Sequence, residues 1–121
     1  TCAGMILMAR EIVASDQPRL GLMDIEVERN AFGRQVDSFE ADIRAELFGA
    51  EPLRGVFIRA PYVTRVGNGV DMLAQYEGRI VAVRQKCMLA TAFHPELTPD
   101  TRVHQWFAQL CRDFAAARSE L

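Results

Sequence analysis

The chain has 121 residues, half of them hydrophobic and a quarter charged, with a formal net charge of −2. That suffices for one domain of ordinary globular composition, and no apolar run approaches the ~20 residues that cross a bilayer. Lys86 is the only lysine and no Lys/Arg cluster exists, so neither nucleic acid nor a membrane surface is expected as a partner, since both need a basic stripe.

Three cysteines, Cys2, Cys87 and Cys111, form an odd set without a C-x-x-C motif or His/Cys metal spacing. Neither a disulfide framework nor a metal site is expected, and a reducing, cytoplasmic setting fits best. No charged segment followed by an apolar one marks a signal peptide. The first residue is Thr1, which fits either removal of an initiator Met or a piece of a longer protein.

In chain order, Met5, Met8 and Ile12 recur at helical spacing ahead of Gln17-Pro18, which predicts a helix from Ala3 to about Ala14. Asp24 to Glu28 alternates strictly and predicts a strand, with Arg29 at its end. Asn30-Ala31-Phe32-Gly33 is a turn signal and Gln35 to Phe39 reads as extended, while Ala41 to Phe48 fits a helix equally well. Gly55-Val56-Phe57-Ile58 is a short apolar run that suits a strand buried on both faces, closed by Arg59.

Three further extended runs, Val70 to Tyr76, Arg79 to Arg84 and Met88 to Phe93, are separated by short polar turns and predict an antiparallel meander. Thr98-Pro99-Asp100 offers an N-cap and a first-turn proline, and Val103, Phe107, Leu110 and Phe114 form the apolar stripe of a last helix. No repeat or linker interrupts the chain, which reads as one domain or a piece of one.

Cys2 stands where the first helix begins. The backbone N–H groups of a helix start favour a thiolate and lower a thiol pKa, and Ala3-Gly4 permit a sharp turn there. This is the logic of a nucleophile elbow with sulfur in place of oxygen, in which the N–H of Ala3 donates to an oxyanion. A terminal or buried structural thiol is the plainer alternative. A thiol nucleophile needs a base and the base an orienting acid, and His94-Pro95-Glu96 follows an apolar strand and offers both. His104 lies within the last helix and reads as a surface or packing residue, so His94 is the candidate base. Arg29 and Arg59 each end a strand, where α/β folds build ligand crevices and a guanidinium can hold a carboxylate. Gly67-Asn68-Gly69 reads as a turn, Met5 and Met8 as core, and Cys87 and Cys111 as structural.

Taken together, the elbow at Cys2, the distant His-Pro-Glu and the arginine-ended strand between them resemble a class I (triad) glutamine amidotransferase. The run from Val27 to Glu40 (VERNAFGRQVDSFE), with TCAGMIL, GVFIRAP and AFHPELT, narrows this. Together they closely resemble the glutaminase subunits of pyridoxal 5'-phosphate synthases, over nearly the whole chain.

The resemblance implies a flavodoxin-like, three-layer α/β glutamine amidotransferase domain. Residues 1–121 would be its C-terminal portion, without the N-terminal strands and helices. It implies hydrolysis of L-glutamine to glutamate and ammonia, with the ammonia passed to the barrel subunit of the synthase, and it implies no cofactor. By matching motifs, Cys2 would be the nucleophile, His94 the base and then acid, and Glu96 the group orienting His94. Arg29, Ile58 and Arg59 would hold glutamine. The family also carries a Gly-Gly-Glu-Ser loop that supplies an oxyanion donor, and this chain has no Gly-Gly pair. Loss of one such donor typically costs ~100- to 1000-fold in rate, so the isolated chain is expected to be weak or inactive.

Two other function classes are open to the sequence. A non-catalytic, glutaminase-like fragment would act only in assembly or regulation. Alternatively Thr1 would serve as an N-terminal nucleophile, although such threonines begin a strand and here a helix follows at once.

Overall fold

The computed structural model describes residues 1–29 and 38–119. The expected turn at Asn30 to Gly33 and the extended stretch from Gln35 to Asp37 lie outside the described residues.

Helix α1 (Ala3–Met8) runs directly into β1 (Ala9–Ile12), followed by β2 (Met23–Glu28), β3 (Ser38–Ile43), β4 (Leu53–Ile58) and β5 (Tyr62–Val66). A meander of β6 (Asp71–Tyr76), β7 (Arg79–Gln85) and β8 (Met88–Thr91) precedes the long helix α2 (Arg102–Ser119). Single 3₁₀ turns lie at Glu46–Phe48 and Pro95–Leu97. Among the described residues, six strands form one sheet in the order β1-β2-β5-β7-β6, with β8 also paired to β7, while β3 and β4 form a separate antiparallel pair. Among the described residues, only β1 and β2 pair in parallel.

The alternation expected at Asp24 to Glu28 holds: Met23, Ile25 and Val27 are buried while Asp24, Glu26 and Glu28 are half-buried on the other face. The first helix is shorter than its spacing suggests. Ala9 and Ile12 are buried as strand residues that pair with Met23 and Val27. An i, i+3 apolar pair serves either period, and sheet pairing decides it here. The stretch after Phe39 is likewise not helical over Ala41 to Phe48, because β3 pairs residue by residue with β4 as far as Ile43↔Leu53 and a 3₁₀ turn follows.

Nor is Gly55-Val56-Phe57-Ile58 an inner strand. Leu53, Gly55 and Phe57 are buried, whereas Ile58 is 40% exposed, since β4 has a single strand partner and one covered face. Strand β5 escapes the sequence reading because only Val63 of its five residues is buried. Helix α2 begins one turn later than Thr98 suggests. The Thr101 carbonyl accepts the first helical bond from Gln105 N–H, and Asp100 Oδ1 caps Arg102 N–H. Its stripe is only half used, with Val103 and Leu110 buried but Phe107 and Phe114 exposed; Trp106 packs edge-on to Phe48 instead.

Phe57 joins the two sheets. Fully buried, it stacks on Phe39 at 4.7 Å, meets Tyr76 at 5.6 Å and packs edge-on to Phe93 at 5.9 Å. Each such aromatic pair adds ~0.5–1.5 kcal/mol beyond burial. The last of these contacts fixes the residue immediately before His94, so core packing is continuous with the site.

Candidate active site

Strand β8 ends at Thr91, and its carbonyl accepts a 2.7 Å hydrogen bond from the Cys2 backbone N–H. Cys2 adopts φ 47° and ψ −102°, a conformation that costs a residue with a Cβ ~1–3 kcal/mol and persists only where its surroundings impose it. Those surroundings are a bond from Gly4 N–H to the Thr1 carbonyl at 2.7 Å, one from Ile6 N–H to the Cys2 carbonyl at 3.3 Å, and the fully buried Met5 that anchors α1. The sharp turn expected of an elbow is therefore present at Cys2, and the strain is concentrated on the residue that carries the sulfur.

The thiol is half-buried and donates to the Ile58 carbonyl at 3.5 Å. Burial pushes its pKa above the ordinary thiol value; the Ala3 N–H opposes this and the negative charge of Glu96 adds to it. The sequence expectation of a lowered pKa is thus reversed, because desolvation outweighs the Ala3 N–H and the positive N-terminus. A protonated resting thiol needs a partner that accepts its proton.

His94 stands just beyond the end of β8. Pro95 opens the 3₁₀ turn Pro95–Leu97, which brings residues two apart back together, and His94 Nδ1 lies 2.7 Å from Glu96 Oε2. Burial disfavours the Glu96 carboxylate, but the hydrogen bond and charge of His94 and a backbone N–H outweigh it and leave the pKa below its ordinary value. Glu96 is therefore ionised at neutral pH and is an acceptor for Nδ1–H, which directs the other ring nitrogen, Nε2, away from the carboxylate.

Strand β4 touches both His94 and the Cys2 thiol. The His94 backbone N–H donates to the Val56 carbonyl at 2.8 Å, and the Cys2 thiol contacts the carbonyl of Ile58 two residues on. Carbonyls two apart on a strand point the same way and are spaced about 6–7 Å, so one strand edge seats both the Cys2 thiol and the segment bearing His94.

The structure thus brings Cys2, the Ile58 carbonyl, His94 and Glu96 together. Arg59 adjoins them directly after Ile58 and has a positive φ of 46°. Arg29 lies exposed in the turn after β2. It reaches the same end of the sheet, because Glu28 pairs with Tyr62, three residues beyond Arg59, and accepts a hydrogen bond from the Tyr62 hydroxyl. A cleft of about 410 Å³ lined by Ser38, Phe39, Glu40, Val56 and Ile58 opens beside this site. His104 is exposed on α2, as expected; Cys87 is half-buried, and Cys111 is exposed rather than a core residue. Among the described residues, no group of three His, Cys, Asp or Glu side chains is placed to hold a metal ion.

Sequence reasoning missed the two β4 carbonyls, which no side-chain pattern reveals. It also passed over Thr91, whose signal was present: a lone hydroxyl inside the apolar run Met88 to Phe93.

Known proteins resemble this chain over most of its length. The chain is 63% identical over 111 residues to pyridoxal 5'-phosphate synthase subunit PdxT of Pelotomaculum thermopropionicum, covering 92% of this chain and 57% of that protein. It is 64% identical over 107 residues to the subunit of the same name from Desulforudis audaxviator, covering 88% of this chain and 57% of that one. A crystal structure of a glutamine amidotransferase superposes with a TM-score of 0.84 at 54% identity, over 90% of this chain and 57% of that one, which bears out the expected α/β fold. The chain therefore spans a little over half the length of these relatives. The model of the SNO glutamine amidotransferase family matches residues 1–113, and the chain belongs to that family.

Proposed function

We propose that this chain carries the reacting groups of a glutaminase that hydrolyses L-glutamine to glutamate and ammonia. The observation that carries the reading is the conjunction at one sheet end of a strained, half-buried Cys2 and the His94–Glu96 pair at 2.7 Å. Both are hung on neighbouring carbonyls of β4. In the reaction, His94 Nε2 takes the Cys2 proton as sulfur attacks the carboxamide carbon. The carbonyl oxygen becomes an oxyanion, toward which the Ala3 N–H is a donor. Collapse breaks the C–N bond, and His94 returns its proton to the leaving ammonia. Water, deprotonated by the same nitrogen, then hydrolyses the thioester to glutamate. Glu96 stays ionised throughout and holds the imidazole in the required tautomer.

Arg29 and Arg59 hold the substrate's polar end, with the Ile58 backbone beside them. This assignment rests on their motif positions and on their location at the same end of the sheet. Ammonia passes to the barrel subunit of a pyridoxal 5'-phosphate synthase, a partner suggested by the names of the relatives at 63% and 64% identity. Residues 1–121 make up the C-terminal portion of one glutaminase domain, in keeping with coverage of 92% of this chain against 57% of the relative. Three free thiols suit a reducing cytoplasm.

The test is ammonia release from glutamine by the full protein that carries this chain, together with its synthase partner. Cys2→Ala should reduce turnover to background with the fold intact by circular dichroism. Normal turnover in that variant would remove Cys2 as the nucleophile.

A further inference from the structure

Thr91 is the one buried polar or charged residue among the described residues, at 2% exposure. Its Oγ1–H donates to the Phe93 carbonyl at 2.8 Å, and its own carbonyl accepts the Cys2 N–H at 2.7 Å. The Phe93 carbonyl belongs to the same planar peptide group as the His94 N–H, which donates to Val56 at 2.8 Å. That peptide is pinned at both ends, by Thr91 on one side and β4 on the other. Between them, Ala92 N–H is tied to the Val81 carbonyl at 2.8 Å, so the bend out of β8 has no slack.

Resting on the glutaminase reading, we propose that Thr91 is a positioning residue that sets the geometry between nucleophile and base. Its carbonyl holds the Cys2 turn, and its hydroxyl fixes the peptide plane from which the His94 side chain is hung. Removing the hydroxyl strands a buried carbonyl acceptor. The Phe93–His94 peptide relieves this by rotating, which moves the imbalance onto the His94 N–H bond to Val56 and turns the ring away from the thiol. The neighbours Ala90, Ala92 and Phe93 are all buried and apolar, so no other side chain of the bend can satisfy that carbonyl.

The test compares Thr91→Val, Thr91→Ser, Thr91→Ala and Cys2→Ala in the full protein with its synthase partner. Thr91→Val keeps the shape and removes the donor. It should lower kcat roughly 10- to 100-fold, the scale of a small misplacement of reacting groups, while KM for glutamine stays unchanged because the arginines are untouched. Thr91→Ser should restore most of the turnover. If Thr91→Val fails to fold, Thr91→Ser and Thr91→Ala decide the matter, and equal kcat in these two overturns the inference. So does a wild-type kcat in Thr91→Val, or a loss that Thr91→Ser does not repair. If Cys2→Ala itself keeps turnover, the glutaminase reading fails first. An inactive Cys2→Ala beside a fully active Thr91→Val removes the role of Thr91 alone.

Discussion

On the proposed glutaminase reading, the Cys2 thiol depends on His94 to take its proton. Burial raises the thiol pKa above its ordinary value of 9.0, so at neutral pH the thiolate fraction is smaller than that of a free cysteine, and it grows only as pH rises through the raised value. Alkylation by iodoacetamide, read at Cys2 by mass spectrometry so that Cys87 and Cys111 do not contribute, should climb without levelling off below the ordinary thiol range. A plateau near neutrality would instead indicate a resting thiolate–imidazolium pair. The sequence singled out His94 and Glu96, and their side chains meet at 2.7 Å. The direction of the thiol shift was not legible, because it depends on how much of the sulfur is covered, which only tertiary packing determines.

At the level of elements, β4 organises the site, and its own geometry depends on a glycine. A Cβ at Gly55 would press on the Ile43 side chain and lie 2.9 Å from Phe57 Cε2. Gly55→Ala should therefore destabilise the protein by ~1–3 kcal/mol, the usual range for overpacking a core, visible as a lower urea midpoint. An unchanged midpoint would mean that β3 and β4 separate freely and that the Val56 and Ile58 carbonyls are not held in place.

The meander of β6, β7 and β8 was readable because clear turns separate three runs of strand-forming residues. The first helix was overextended and β5 was overlooked for a common reason. Ala9 and Ile12 owe their strand conformation to Met23 and Val27, and β5 owes its own to β2 and β7. Pairing between distant segments leaves only a faint imprint on either partner.

For the whole molecule, a large sheet, a two-stranded hairpin and two helices converge so that parts of the chain 92 residues apart, Cys2 and His94, share one strand edge. The fold class could be read from motifs that span the chain, whereas the backbone bonds through Thr91, Val56 and Ile58 could not. The central claim is that Cys2 is a nucleophile activated within an assembled glutamine site. It is tested most directly by treating the full protein with a glutamine-mimicking electrophile and locating the adduct by peptide mass spectrometry. The account predicts one adduct, on Cys2, suppressed by excess glutamine and lost in His94→Ala. Labelling of Cys87 or Cys111 instead, or labelling of Cys2 that neither glutamine nor His94→Ala affects, would contradict it.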